Sequence, residues 1–270
     1  MMMKQKILTS SLMLILFITC SPKKQQEETQ TTGEPDEEKA MEILVSPVTD
    51  SPEFPDAILE MNSPEGFSTL DEGIVQFSYD VTNYELKAQT SDAGIKNCAN
   101  SSDGQHIHLI LNNQPYTAHY DPAFEQDIGS GHYVALSFLS RSYHESLKNP
   151  EAYVLRQFTV GDIDEKEVDL TGPNLFYSRP KGTYSGNDTK KILLDFYIVN
   201  CDLSEDGYKV RATINGYEFI LSEWVPYFIE GLPMGENTFK LELIDEAGSI
   251  VDSPFSSVER TITLSENPPA

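Results

Sequence analysis

One order of strand signals is written twice along this chain, and that repeat constrains the fold more than any other feature. Pro64-Glu65-Gly66 recurs as Pro180-Lys181-Gly182, a turn signal ahead of a strand. Val75, Phe77, Tyr79 and Val81 then alternate with Gln76, Ser78, Asp80 and Thr82, the period of a half-buried strand. Ile192, Leu194, Phe196 and Ile198 repeat its apolar half. Asn83-Tyr84-Glu85-Leu86 answers to Asn200-Cys201-Asp202-Leu203, and Asp103-Gly104 to Asp206-Gly207. Ile107, Leu109 and Leu111 match Val210, Ala212 and Ile214, and each run meets a turn pair, Asn112-Asn113 or Asn215-Gly216. Asn and Gly tolerate the positive φ that a tight hairpin turn demands. Val134, Leu136 and Phe138 are matched to Phe239, Leu241 and Leu243, and Val154–Val160 to Val258–Leu264. Two unrelated β segments would share alternation but not the Pro-x-Gly, Asp-Gly and Asn-turn landmarks.

Each copy carries roughly seven short strands in about 100 residues, the size of an immunoglobulin-like sandwich. The expected fold is therefore all-β: two tandem immunoglobulin-like β-sandwich domains, at 54–163 and 173–265, joined by a linker at 164–172. Asp162-Ile163-Asp164-Glu165-Lys166-Glu167 has acids but no calcium-loop spacing, and reads as solvated linker. The second copy's Gly231–Leu241 run and Asp245-Glu246-Ala247-Gly248 turn resemble Ig-like modules of bacterial envelope proteins. The Cys…Trp…Cys pattern of antibody domains is absent. Trp224, the only Trp, is expected to plug the core or the domain boundary.

The N-terminus reads as an address. Lys4 and Lys6 precede an apolar run, Ile7–Ile18, too short to span a bilayer comfortably. It ends in Phe17-Ile18-Thr19-Cys20, which resembles a bacterial lipobox, although Phe17 and Thr19 depart from the usual Leu and Ala or Gly. The resemblance implies a signal peptide at 1–19 and an acylated Cys20 anchoring the chain to a membrane. Residues 20–53 are polar and rich in Glu, Gln, Thr and Pro, and read as a disordered tether. Lys23 and Lys24 favour the periplasm-facing leaflet of the outer membrane. With 43 acidic against 19 basic residues, a net charge of -24 leaves no electrostatic footprint for nucleic acid. Cys98 and Cys201 could pair or stay buried as small hydrophobes.

All five histidines (His106, His108, His119, His132, His144) fall in the first copy. His106 and His108 alternate with core residues and so face away from that core; Lys209 and Arg211 in the second copy suggest an exposed face. If Asn112-Asn113 is a two-residue turn, His108 opposes Thr117 and His106 lies opposite His119. Opposed side chains share a face with Cβ atoms about 5 Å apart, so His106, His108 and His119 form a candidate site for zinc or copper. Pro115 could introduce a bulge, and a shift of one residue would turn His119 to the other face. His132 is expected to be a half-buried, satisfied histidine and His144 a loop residue. A long polar insertion, Lys87–Ser102, replaces only Ser204-Glu205 of the second copy. It reads as either a binding loop or a disordered surface loop.

Gly104–Asn113, Pro115–Tyr120 and His132–Glu145 are similar to segments of a poorly characterised group of Bacteroidetes-type lipoproteins, some labelled phosphopeptide-binding proteins. That resemblance implies phosphate recognition, for which Lys209, Arg211 and Arg141 are available. There is no Gly-x-Ser-x-Gly, phosphate-cradling Gly loop, His-Glu-x-x-His or Cys-x-x-Cys. The expected role is thus non-catalytic: an envelope lipoprotein binding a peptide, a glycan or a protein partner. Metal binding at the histidines, phosphopeptide binding and a purely structural spacer are the alternatives.

Overall fold

A computed structural model describes residues 42–164 and 167–267. The segments read as a signal peptide at 1–19, an acylated Cys20 and a tether up to 41 lie outside the described residues. In chain order the strands are β1 (Leu44–Pro47), β2 (Ile58–Ser63), β3 (Thr69–Leu70), β4 (Gly73–Thr82), β5 (His106–Leu111), β6 (Thr117–His119), β7 (Ala123–Ile128), β8 (Gly131–Ser140) and β9 (Tyr153–Val160). They continue as β10 (Asn174–Arg179), β11 (Thr183–Ser185), β12 (Ile192–Val199), β13 (Lys209–Ile214), β14 (Tyr217–Leu221), β15 (Tyr227–Glu230), β16 (Gly235–Ile244) and β17 (Ser257–Ser265). One short helix, α1 (Ala93–Lys96), lies in the insertion.

The sheets pair into two sandwiches of the same topology. In the first, β2-β4-β7 faces β3-β9-β8-β5-β6; in the second, β10-β12-β15 faces β11-β17-β16-β13-β14. Even the unusual parallel pairs recur, β3 with β9 and β11 with β17. Phe77, Ile107, Leu109 and Phe158 fill the first core, and Phe196, Val210, Phe239 and Leu241 the second. The fold is therefore the tandem sandwich that the repeat implies.

Two expectations are corrected by the packing, and one open alternative is resolved. The tether does not run unstructured to residue 53. Leu44–Pro47 pairs antiparallel with β15 and completes the second sandwich as a fourth strand of that sheet. An edge strand offers a row of unpaired N–H and C=O groups, and the extended segment satisfies them. Ile43 and Val45 pack on the second core and Val48 is buried. From β1 onward the chain thus starts in the second sandwich, builds the first, and returns.

Second, the outer face of β5, β8 and β9 is not solvent-exposed. Ile110, Val134, Leu136 and Phe138 form an interdomain core with Phe176, Tyr197 and Val199 of β10 and β12. Val134, Leu136 and Phe138 therefore face the partner sandwich, while Ala135 and Leu139 fill the first core, one residue out of step with the sequence match. A strand apolar on both faces, as β8 is, is buried on both. Trp224 touches both the second core and this interface, and its indole N–H donates to the Phe196 carbonyl at 3.1 Å. Third, the insertion is ordered. Thr90 and Cys98 are buried, and the ammonium of Lys96 is held by Asp50 at 2.6 Å. Cys98 and Cys201 are both free thiols.

Gly231, at φ +80°, marks the place where β1 enters: a Cβ there would collide with the carbonyl of Glu42. Gly231→Ala is expected to lower stability by about 2 kcal/mol through strain and displacement of β1. Denaturant unfolding checks this. Removing residues 1–48 should destabilise too, and the two changes combined should cost less than their sum, because both act on the same contact.

Candidate metal centre

The site is built by two hairpins and a wall. β5 sends His106 and His108 to its outer face, two residues apart and on the same side. Both are fully buried, because the second sandwich and the insertion cover that face. The expected third member, His119, is not with them. Ile107 pairs with His119 and His108 with Ala118, one residue out of the register a two-residue turn would give. In the second copy Ile214 does oppose Tyr217 across Asn215-Gly216. In the first, Gln114 closes onto the Leu111 carbonyl and Pro115 cannot donate to the ladder, so the return strand slips by one. His119 accordingly turns to the Phe124 side, where it stacks with centroids 3.3 Å apart and meets the Thr117 hydroxyl at 2.7 Å.

His144 takes its place. It lies in the turn after β8, where Arg141 N–H donates to the Glu145 carbonyl and His144 N–H to that of Arg141. The second copy makes the same turn with Asp245, Gly248 and Ser249. The isolated bridges closing the two turns, Ser140 with Ser146 and Ile244 with Ile250, fix this correspondence. His144 therefore stands where the repeat has Gly248, and both adopt positive φ, 67° and 80°. The left-handed region costs an L residue energy that glycine avoids, so the turn is strained to deliver this imidazole.

His106, His108 and His144 bring one ring nitrogen each to within 4.8 Å of one another. Nε2 of His106 is 2.8 Å from Nε2 of His108 and 3.1 Å from Nδ1 of His144. Nδ1 of His106 is 2.7 Å from the Gly104 carbonyl, an oxygen that can only accept. That bond fixes the tautomer: the proton is on Nδ1 and Nε2 presents its lone pair inward. His108 Nδ1 meets the Ser178 hydroxyl at 3.4 Å, from β10 of the second sandwich. Backbone and hydroxyl partners behind the ring are what orient metal-binding histidines.

Burial holds these rings neutral. Desolvation lowers His106 to about 4 and pushes His108 and His144 well below the ordinary histidine range; the cations Arg179 and Lys181 act in the same direction. One inward lone pair thus faces two further nitrogens, in surroundings that disfavour an added proton. A neighbouring neutral ring can donate its one N–H to that lone pair, and a bound cation would take the place of that proton. Zinc–nitrogen bonds of about 2.0–2.1 Å in tetrahedral geometry separate ligand nitrogens by about 3.3 Å, so the two His106 pairs need open by only a few tenths of an ångström, while the His108 and His144 nitrogens, within 4.8 Å, adjust to the same spacing.

The surroundings are aromatic and cationic. Tyr116 stacks on His108 with centroids 3.6 Å apart at 12°, and its hydroxyl is 3.3 Å from His144 Nδ1. Lys181 sits over the other side of this ring at 3.8 Å, and Arg179 is 5.4 Å from its centroid. The insertion closes the top: Ser101 N–H donates to the Ser142 carbonyl and the Ser101 and Tyr120 hydroxyls meet at 2.7 Å. His132 is buried and bonded to Gln157 at 2.8 Å, apart from the centre. The cations available for phosphate do not converge. Arg141 is paired with Glu145 and Arg211 with Glu242, and Lys209 donates to the Gly207 carbonyl.

No protein-family model matches the chain, and no curated protein is similar to it. Solved structures share its fold class at low similarity. The fibronectin(III)-like modules of CbhA from Clostridium thermocellum are 10% identical, covering 77% of this chain and 95% of theirs, with a TM-score of 0.28. The two tandem V-type regions of the chitin-binding protein VCBP3 are 8% identical over 77% of this chain and 99% of theirs, at 0.23. Bacteroides ovatus SGBP-B, solved with a mixed-linkage heptasaccharide, is 12% identical over 76% of this chain and 47% of its own, at 0.24.

Proposed function

We propose that this chain is an envelope-anchored, non-catalytic binding protein whose first sandwich holds one zinc or copper ion at His106, His108 and His144. The observation that carries the reading is the convergence of three buried imidazole nitrogens, with the tautomer of His106 set by the Gly104 carbonyl. Three neutral imidazoles suit Zn²⁺ and copper and leave room for one further ligand. Acylation at Cys20 would place the centre in an oxidising compartment beside the membrane.

The test is a titration of the purified protein with Zn²⁺ and Cu²⁺. One equivalent should bind per chain, and His106→Ala/His108→Ala should abolish it; His119→Ala should leave it unchanged. No stoichiometric uptake, or uptake indifferent to the double substitution, overturns the reading. A metal-independent binding role is the second reading. The open edge of β14, with Tyr217 and Ile220 exposed, favours a peptide or protein partner added as a further strand.

A further inference from the structure

Two cations, Arg179 and Lys181, act on the three histidines, and among the described residues neither forms an ion pair. The chain holds 43 acidic and 19 basic residues, so a cation has ample choice of carboxylate partners. Yet among the described residues Arg179, Lys181 and Arg260 form no ion pair, whereas Lys96, Arg141, Lys148 and Arg211 each do. Arg179 is only 8% exposed, and its Nε has no hydrogen-bond partner. Burying such charges is expensive unless something negative compensates them. Two of them converge on one group, the Tyr116 ring: Lys181 lies 3.8 Å above it and donates to the Tyr116 carbonyl, and the Arg179 guanidinium is 5.4 Å away. Tyr116 is itself 2% exposed, and its hydroxyl points at His144 Nδ1, 3.3 Å distant. Two ligands of one tetrahedral metal lie at about that separation.

We propose that Tyr116 is the fourth ligand of the centre, coordinating through its phenolic oxygen, with Lys181 and Arg179 placed to balance the charge of a metal-bound phenolate. The proposal rests on the three-histidine reading above. It explains why the ring is clamped parallel between His108 and an ammonium. That stack holds the phenolic oxygen 3.3 Å from His144 Nδ1. It also explains why neither cation is ion-paired: Asp195, opposite Arg179 in the β10–β12 ladder, is taken by Lys148 at 2.8 Å, which leaves the positive charge of Arg179 for the phenolate. The centre becomes a closed His₃Tyr site, with every ligand from the first sandwich and its counter-charges from the second.

The experiment is Cu²⁺ titration of the purified protein followed by visible absorption and by direct metal analysis. One equivalent of Cu²⁺ should produce a phenolate-to-copper charge-transfer band. Tyr116→Phe keeps the ring and its stacking; it should still bind one copper through the histidines, lose the band, and bind on the order of 10–100-fold more weakly. Near-UV circular dichroism confirms that the variant is folded. Lys181→Gln should keep the band and move it to longer wavelength, because removing the cation raises the energy of the phenolate electrons. Copper bound without the band, or a band that survives Tyr116→Phe, overturns the role of Tyr116 and leaves the histidine site standing. A wild-type protein that binds no copper or zinc overturns both.

Discussion

His144→Gly is expected to weaken metal binding by on the order of 100-fold while changing the stability of the metal-free protein by less than about 1 kcal/mol. Truncating a large buried side chain ordinarily costs about 2–5 kcal/mol, so the near-neutral result is the informative half. It follows from the repeat. His144 sits at φ 67° in a turn that the second copy closes with Gly248 at φ 80°. Glycine relieves the left-handed backbone, and that relief offsets the loss of ring packing against His106, His108 and Tyr116. His144→Ala separates the two effects: it loses the imidazole and keeps the strain, and should be about 1 kcal/mol less stable than the glycine variant. At zinc of about 100 times its dissociation constant, the wild type should gain about 2.7 kcal/mol and the glycine variant well under 1. Isothermal titration and thermal unfolding with and without zinc measure both. Wild-type affinity in His144→Gly, or equal stability of the glycine and alanine variants, would remove the assignment.

The fold is legible in the sequence because period-two alternation and turn landmarks are local. Asn215-Gly216 makes the expected hairpin, with Ile214 opposite Tyr217. What sequence reasoning misses depends on the other sandwich. Lys209 and Arg211 suggest an exposed face for His106 and His108, and in the second copy Arg211 is indeed half-open beside Glu242. In the first copy the residue in Glu242's place is Phe138, which belongs to the interdomain core. The signal is the apolar run Val134–Leu139, interrupted only by Ser137 and too apolar for a half-exposed strand. The N-terminal strand is hidden for a similar reason: Ile43-Leu44-Val45 is a short apolar island in polar sequence, and only the open edge of β15 gives it a use.

The site is half legible. His-x-His on a strand places two imidazoles on one face whatever surrounds them, and His106 with His108 obey this. His119 is lost to a slip of one residue, which period-two geometry converts into a change of face. His144 can be found from the repeat alone. Laying Arg141-Ser142-Tyr143-His144 on Asp245-Glu246-Ala247-Gly248 sets a histidine against a turn glycine, a substitution with a backbone cost and hence a reason to ask what it does. Matching Val134, Leu136 and Phe138 to Phe239, Leu241 and Leu243 sets β8 one residue out of step and conceals that correspondence.

Acid should unfold the metal-free protein well above the pH at which most of its carboxylates titrate. His106 is lowered to about 4, and His108 and His144 are held well below 6.5, in each case chiefly by burial. Unfolded, all three take up protons near pH 6.5. Below that pH the unfolded chain binds more protons than the native one, so stability falls as pH falls. The contribution is intact above about 6.5 and is lost progressively toward the folded-state values. Each histidine removes up to about 1.4 kcal/mol per pH unit, so three remove about 4 kcal/mol between pH 7.5 and 5.5. Glu145, raised by its own burial, acts with opposite sign. A domain stability of about 5–15 kcal/mol cannot absorb much more. Most other carboxylates protonate lower, where relief of the net charge of -24 comes too late to compensate. Urea unfolding at a series of pH values from 8 to 5 gives the slope. Imidazole proton resonances report directly whether the three rings stay neutral at pH 5.5 while folded. The native rings are already deprotonated there and release no proton to zinc, but a phenolate at Tyr116 releases one, so the increment from excess zinc should shrink by up to about 1.4 kcal/mol per unit as pH falls, moving the acid midpoint downward while steepening the slope. Stability that is flat from pH 7.5 to 5.5, or rings that protonate near 6.5 in the folded state, would mean that these imidazoles are hydrated and that the centre is open to water.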